Sequence, residues 1–297
     1  MAENEKTTPI FIQKFLEIFL IKKPILVVSV KYPFFVRCSP NDYSANANSC
    51  DAVFKNTSRC SYNPNSNSIG LQRCNYAKQQ VFYASAPANS NQVSADMTAL
   101  LEVSMNCVKN KQISRSYFTL SRWKLNRPLN MAVLPFSRRS RKRDGDFKLM
   151  NKEFDRVLKQ STEGDSERYQ YFKAFLEFMS NIFCKRIKGN CYYKISSAYF
   201  NAMMKITDER KNVFFNFDPP TDYQIDGILY PSANSKAQGM NICLRKEVID
   251  DLSLECDYVA MSAMQRNPNN LKDIVFPKVA NEHIPDANGD IHFTHIW

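Results

Sequence analysis

The run Gln80-Val81-Phe82-Tyr83-Ala84-Ser85 and the run Ala95-Asp96-Met97-Thr98-Ala99-Leu100-Leu101-Glu102-Val103 decide the fold class of this chain of 297 residues. The first run is short and rich in side chains that favour β-structure, which predicts a buried strand. The second run has apolar residues at the spacing of one helix face, and the pattern continues to Val108, which predicts a helix over 95–108. Strands and helices follow one another without strict alternation, and this favours an α+β domain over a doubly wound sheet.

The same periodicities predict further elements on both sides of this unit. Strands are expected at 25–28, 32–37, 117–123, 131–136, 192–195, 212–217 and 240–244, and helices at 11–21, 147–158, 167–187 and 198–205. We expect Ser166 to cap the helix that begins at residue 167. Long polar stretches at 39–67 and 87–94 predict loops.

Composition narrows the classes of function. Hydrophobic residues make up 44% of the chain, which argues against a disordered protein. Neither a G-x-G-x-x-G nor a G-x-x-x-x-G-K-[ST] pattern occurs, so the Rossmann and P-loop classes lose their main support. The net charge is +11, and much of the excess lies in the basic run at 137–143. That run is interpreted as a solvated loop, with a nucleic-acid-binding module as the alternative.

Cysteine usage and hydropathy indicate the cellular compartment in which the protein is expected. The chain has 9 Cys and no C-x-x-C pair, which predicts reduced thiols in the cytoplasm and no metal site. The apolar segment at 10–30 is interrupted by Lys14, Glu17, Lys22 and Lys23, so we expect neither a membrane span nor a membrane partner. The leading residues also lack the pattern of a signal peptide.

Five side chains form a plausible set for binding an anionic nucleotide with a flat ring. Arg37 and Arg73 can each donate two parallel hydrogen bonds to a phosphate. Tyr83 offers a ring, Glu102 a carboxylate on the predicted helix, and Ser232 a hydroxyl after a Tyr-Pro pair. On spacing alone, such a set is a hypothesis.

The order of these residues carries a resemblance to a known family. Arg73-Cys74-Asn75 precedes a strand ending in Tyr83-Ala84-Ser85, a helix then carries Glu102, and Pro231-Ser232 precedes a strand that contains Asn241. With the early strand-end arginine, this order resembles the RES domain, a family named after an Arg, a Glu and a Ser. The resemblance implies an ADP-ribosyltransferase-like mixed sheet core with flanking helices, in a single domain with insertions.

The chain departs from the family pattern in three places. Cys74 stands where the family has an aromatic residue, and Gln72 stands where it has Gly. The insert at 87–94 lengthens the interval between Tyr83 and Glu102.

The resemblance implies an enzyme that consumes NAD by cleaving the bond between nicotinamide and ribose, as a glycohydrolase or phosphorylase, and acts as a toxin with an antitoxin partner. An ADP-ribosyltransferase that modifies a protein or nucleic acid is the alternative. Glu102 would stabilise positive charge on the ribose, or orient or activate the acceptor. Tyr83 would pack against nicotinamide, Arg37 and Arg73 would hold the phosphates or the carboxamide, and Ser232 would bind nicotinamide or its ribose. The implied catalytic and NAD-binding residues are Arg37, Arg73, Asn75, Tyr83, Glu102, Ser232 and Asn241.

The resemblance also implies a domain organisation. Residues 1–30 form an N-terminal helix and lead-in strand, 31–250 a RES-like catalytic domain with an insert at about 137–165, and 251–297 a C-terminal extension. The acceptor of the ADP-ribosyl group stays open at this point, and so does self-association into a homo-oligomer.

Overall fold

The computed structural model describes residues 8–20, 25–40, 60–87, 93–113, 115–134, 146–185, 190–205, 213–215, 224–235, 238–283, 285 and 290–291. These residues form an α+β protein in which helices flank one mixed sheet. The helices are α1 (Pro9–Leu20), α2 (Ala95–Lys109), α3 (Asp146–Ser161), α4 (Ser166–Cys184), α5 (Cys191–Lys205) and α6 (Glu247–Asp250). The strands are β1 (Ile25–Val30), β2 (Phe34–Pro40), β3 (Val81–Ala86), β4 (Arg115–Leu125), β5 (Leu129–Val133), β6 (Val213–Phe215), β7 (Gly227–Pro231), β8 (Met240–Arg245), β9 (Leu254–Asn267), β10 (Asn270–Val275) and β11 (Lys278–His283).

The sheet has the strand order β10-β9-β4-β2-β3-β8-β7-β5-β1-β6, with β11 paired to β9. Within the described strands, the pairs β5–β7 and β1–β6 are parallel and the other pairs are antiparallel. The pairing of β2 with β3 is short and joins Val36 to Ser85, whereas β2 pairs with β4 from Phe34 to Pro40. The sheet therefore opens between β2 and β3.

Successive strand residues pack into different cores because their side chains point to opposite faces of the sheet. Leu229 belongs to the cluster that includes α3, and its neighbours Ile228 and Tyr230 belong to the cluster that includes α1 and α5. Helix α2 packs its buried residues Ala95, Ala99 and Leu100 over β2 and β4 in a third cluster. This placement puts α2 beside the opening in the sheet.

The predicted domain boundaries do not coincide with breaks in the sheet. β1, from the predicted N-terminal segment, lies between β5 and β6, and β9, from the predicted C-terminal extension, pairs with β4 along its length. The predicted insert at 137–165 contains α3, whose Phe154 and Leu158 are buried in a main core cluster. The basic run at 137–143 lies outside the described residues.

Two local predictions were wrong. The expected strand at 192–195 is the first part of α5, because Tyr199, Phe200 and Met203 bury a helical face in the cluster that includes α1, and this packing outweighs local β-propensity. The N-cap of α4 is Asp165 and not Ser166, since the Asp165 side chain accepts a hydrogen bond from the Arg168 amide. No helix among the described residues is long and apolar enough to cross a bilayer.

Candidate active site

A cleft of about 530 Å³ lies where the sheet opens between β2 and β3. Its walls come from β2, β3, β7 and β8, from one face of α2, from the start of α5, from the loop after β7 and from the turn before β3. Five of the residues predicted from the sequence line this cleft, namely Arg37, Arg73, Tyr83, Glu102 and Asn241. Ser232 contacts the Glu102 carboxylate, and Asn75 contacts the Tyr83 hydroxyl. Residues up to about 200 positions apart in the chain therefore meet at one place.

Glu102 projects into the cleft because of the helical spacing of α2. Ala99 and Lys109, three and seven positions from Glu102, lie on the same side of the helix and also line the cleft, and both Ala99 and Leu100 are buried in the third core cluster. Residues three and four apart share one face of a helix. Because the face that carries Leu100 is buried in the core, the Glu102 side chain points into the cleft.

The two oxygens of the Glu102 carboxylate accept different numbers of hydrogen bonds. Its Oε1 accepts from the Ser232 hydroxyl at 2.5 Å, from the Asn241 amide at 2.8 Å and from the Asn234 main-chain N–H at 3.4 Å. Its Oε2 accepts from the Asn234 side-chain amide at 2.8 Å. Within the described part of the chain, Oε2 thus keeps acceptor capacity that can be used by a ligand in the cleft.

Ser232 and Asn241 position the acid and are already engaged. The Ser232 hydroxyl donates to Glu102 and accepts from the Ser235 amide at 3.1 Å, which leaves it poorly placed to bind nicotinamide as the resemblance implies. The Asn241 side chain donates to Glu102 and accepts from the Ser85 hydroxyl at 3.0 Å. Both residues therefore fix the position of Glu102.

The loop after β7 is locked against α2 at Gly239. A Cβ at this position would lie 2.1 Å from the Thr98 hydroxyl oxygen, so only glycine permits the observed approach. Gly239 also accepts from the Ser232 amide at 2.9 Å and donates to the Ser235 hydroxyl at 2.9 Å. The loop that carries the partners of Glu102 and the helix that carries Glu102 are thus packed as one unit.

Arg37 bridges the opening between β2 and β3. Its Nη1 donates to the Tyr83 carbonyl at 2.9 Å, and its guanidinium lies 5.4 Å from the centroid of the Phe82 ring. The buried Nε has no hydrogen-bond partner among the residues that the structure describes. Desolvation lowers the pKa of Arg37, and the nearby thiols of Cys60 and Cys38 offset only a part of this effect. A buried donor of this kind is costly unless an acceptor reaches it.

Arg73 is directed mainly at the end of α4. Its Nη1 donates to the carbonyls of Ile182, at 3.0 Å, and Phe183, and its Nη2 donates to the carbonyl of Lys185 at 3.0 Å. Three of its five N–H donors thus bind carbonyls at the end of α4, of which that of Ile182 also accepts from the Lys185 amide, and at most two can face a ligand. Burial would lower the pKa of Arg73, but electrostatic interactions with Tyr230 and Glu102 outweigh this effect, and the pKa is raised.

Tyr83 offers its ring to the cleft while its hydroxyl is engaged. The hydroxyl donates to Asn75 Oδ1 at 3.0 Å and accepts from the Cys74 amide at 2.7 Å. Desolvation raises the pKa of Tyr83 well above its usual value, so the phenol stays neutral. Asn75 is buried and also donates to the carbonyls of Gly70 and Tyr76. Asn75 therefore shapes the turn and orients Tyr83, and the structure does not place it in the lining of the cleft.

Sequence reasoning missed several residues of the cleft. Asn234 gives Glu102 two donors, yet it lies in a short polar loop with no periodicity that would reveal it. Ser85 belongs to the Tyr83-Ala84-Ser85 motif, but its hydrogen bond to Asn241 depends on the pairing of β3 with β8. Tyr193 and Tyr230 line the cleft from α5 and β7, and the cleft position of Tyr193 depends on a helix that local β-propensity does not reveal.

Comparisons with family models, with curated proteins and with solved structures each found no match for this chain. Across the described ranges, no group of three or more His, Cys, Asp or Glu side chains is arranged to hold a metal ion. The geometry of the cleft is therefore the basis for a functional proposal.

Proposed function

We propose that this protein is an NAD-consuming enzyme that cleaves the bond between nicotinamide and ribose. The observation that carries the proposal is the Glu102 carboxylate, which is fixed by Ser232, Asn234 and Asn241 and keeps acceptor capacity on Oε2 in a cleft that Tyr83 also lines. A fixed carboxylate beside an aromatic ring suits a substrate that has a flat leaving group and develops positive charge.

The size and polarity of the cleft support a dinucleotide substrate. Its volume of about 530 Å³ falls within the usual range for small-molecule sites, about 300–1,000 Å³. Within the described ranges the Arg37 Nε has no acceptor, and a phosphate or carboxamide oxygen of the substrate could accept from it. Lys109 stands exposed on the α2 side of the cleft and adds a second cation.

The reaction is hydrolysis of the N-glycosidic bond: NAD⁺ and water give ADP-ribose, nicotinamide and a proton. As the bond between ribose C1 and the nicotinamide nitrogen breaks, its electron pair leaves with nicotinamide and positive charge develops on the ribose. Glu102 stabilises this charge through Oε2, because Oε1 is occupied by three donors. Water then bonds to C1 and loses its proton to solvent.

The other residues have supporting roles in this proposal. The ring of Tyr83 packs against nicotinamide, and its neutral hydroxyl takes no part in proton transfer. Arg37 binds the anionic end of the substrate. Ser232, Asn234 and Asn241 act as positioning residues for Glu102, and Arg73 holds the end of α4 at the edge of the cleft. A cell in which this activity is unchecked would lose NAD, which is the basis for proposing a toxin and a protein antitoxin that blocks the cleft.

The test is incubation of the purified chain with NAD, followed by chromatographic detection of free nicotinamide. We expect Glu102→Gln to reduce turnover by about a hundredfold or more, as for loss of an electrostatic catalytic group. Asp96→Asn is the matched control, because Asp96 is an exposed carboxylate on the same helix and does not line the cleft. Circular dichroism and thermal unfolding check that both variants are folded.

The second product identifies the acceptor. ADP-ribose indicates water, its phosphorylated form indicates inorganic phosphate, and label from NAD on protein or nucleic acid indicates ADP-ribosyl transfer. No release of nicotinamide by the folded chain, with water, with phosphate and with cell extract, would refute the proposal. Full activity of Glu102→Gln would refute the role of Glu102.

A further inference from the structure

One surface of the protein exposes a continuous set of large apolar side chains. We name this surface the aromatic face. It consists of Ile10, Phe11, Phe15 and Ile18 on α1 and Tyr171 and Phe178 on α4. Each of these side chains is between 52% and 72% exposed. Scattered exposed apolar residues are normal, but a contiguous patch of this kind marks an interaction site.

The aromatic face is a second apolar side of α1. The first side, formed by Ile12, Leu16 and Leu20, is buried in the cluster that includes α5. Phe11, Phe15 and Ile18 follow the helical spacing of four and then three residues on the outer side. A helix that is apolar on both sides is normally buried on both sides.

Ring contacts join the two helices of the face. The Phe19 ring lies 6.3 Å from Phe15 and 6.1 Å from Tyr171, and its centroid is 4.5 Å from that of Phe175. Phe178 lies two helical turns beyond Tyr171 on the same side of α4. Phe15 and Tyr171 are therefore held on a packed aromatic layer around Phe19, and Phe11 and Phe178 extend this surface by their helical spacing.

We infer that the aromatic face binds the same face of a second copy of this chain, so that two α1 helices pack antiparallel about a two-fold axis. The area suits this partner. Four half-exposed rings and two isoleucines present about 600 Å² of apolar surface, estimated from about 150–250 Å² for a fully buried aromatic residue. A stable interface buries about 800 Å² on each partner, and the polar rim of the face supplies the remainder.

The residue spacing on α1 is also self-complementary. In an antiparallel pair whose axis passes between residues 14 and 15, Phe11 of each copy meets Ile18 of the other. Lys14 of each copy then meets Phe15 of the other, so the cation lies over a ring and not opposite a second cation. An isologous interface requires this reciprocity, in which residue i meets j and j meets i.

The test is sedimentation equilibrium of the full chain over a series of concentrations in the micromolar range. We expect a dimer for the native chain and, for Phe15→Glu, a dimer dissociation constant raised about tenfold or more, since a charge would be buried at the centre of the interface. Leu149→Glu is the matched control, because Leu149 is 66% exposed on α3 and lies outside the face. If Phe15→Glu fails to fold by circular dichroism, Ile18→Glu at the most exposed position of the face replaces it.

A charge swap tests the register. Phe11→Glu and Ile18→Lys should each weaken the dimer, and the double variant should recover it, because positions 11 and 18 meet only in the antiparallel arrangement. A native chain that stays monomeric throughout, or equal effects of Phe15→Glu and Leu149→Glu, would overturn the inference. Binding of a monomeric chain to vesicles of phosphatidylserine and phosphatidylcholine through Phe15 would overturn it in favour of a membrane surface.

Discussion

Replacing Arg73 by Met separates a role in the fold from a role in binding substrate. The sequence makes Arg73 a candidate for the phosphates, whereas its guanidinium donates to three main-chain carbonyls at the end of α4. Met keeps much of the apolar stem and removes the guanidinium. The substitution therefore leaves these carbonyls without their charged donor, and two of the three bonds lie in a partly buried setting.

The expected loss of unfolding free energy follows from those two hydrogen bonds. A hydrogen bond to a charged group contributes about 1.5–3 kcal/mol, so two partly buried bonds at the lower end give a loss of about 3 kcal/mol in the free energy of unfolding. The third bond, to Lys185, is exposed and adds little because water can replace it. For a chain of this size, about 3 kcal/mol corresponds to a decrease of about 6 °C in Tm.

The measurement is urea unfolding and thermal unfolding followed by circular dichroism. Arg122→Met is the matched control, because Arg122 makes a bidentate ion pair with Asp257 in which the side chains are 39% and 32% exposed. Exposed pairs contribute less than about 1 kcal/mol, so the control should stay close to the native chain. If Arg73→Met were as stable as Arg122→Met, the guanidinium would not support α4 and the argument from its contacts would be wrong.

Two further substitutions test the packing around the site and the pairing of α3 with α4. Gly239→Ala should destabilise the protein by about 1–3 kcal/mol in urea unfolding, because its Cβ would lie 2.1 Å from the buried Thr98 hydroxyl, and an unchanged midpoint would contradict this close approach. Desolvation raises the pKa of Asp155, but hydrogen bonds from Tyr169 and Lys173 outweigh this effect, and the pKa is lowered. The stability that the Asp155 carboxylate contributes is therefore present above about pH 3.9 and is lost as the pH falls through the lowered pKa. Asp155→Asn should therefore cost up to about 1 kcal/mol at pH 7 and progressively less in acid, and a deficit that does not depend on pH would contradict the role of the charge.

Local patterns predicted the elements that position the site, because each of those elements is fixed by its own periodicity. The strand predicted at 80–85 is observed as Val81–Ala86 and the helix predicted at 95–108 as Ala95–Lys109, since both have strongly patterned apolar residues. The strand expected at 192–195 was wrong because tertiary packing of α5 outweighed local propensity.

The contacts within the site could be predicted only in part. A sequence shows that Arg73 is an arginine but not that the end of a helix more than a hundred positions away takes most of its donors. Asn234 was missed for a related reason, because its value depends on a loop geometry that Gly239 and Thr98 impose from elsewhere in the chain. Helix propensity and strand propensity carry no information on either contact.

The two charged groups that are proposed to meet the substrate differ in how the fold satisfies them. Glu102 has four donors on its two oxygens, so its position is supported before any ligand arrives. Arg37 instead has a buried Nε that finds no acceptor in the part of the chain that the structure describes, and an unsatisfied buried donor costs stability. A ligand that brings an acceptor to Arg37 removes this cost, whereas a ligand at Glu102 must fit a group that is already fixed. Affinity should therefore depend mainly on Arg37 and the rate of the chemical step mainly on Glu102, which is the division expected when binding and transition-state stabilisation reside in different groups.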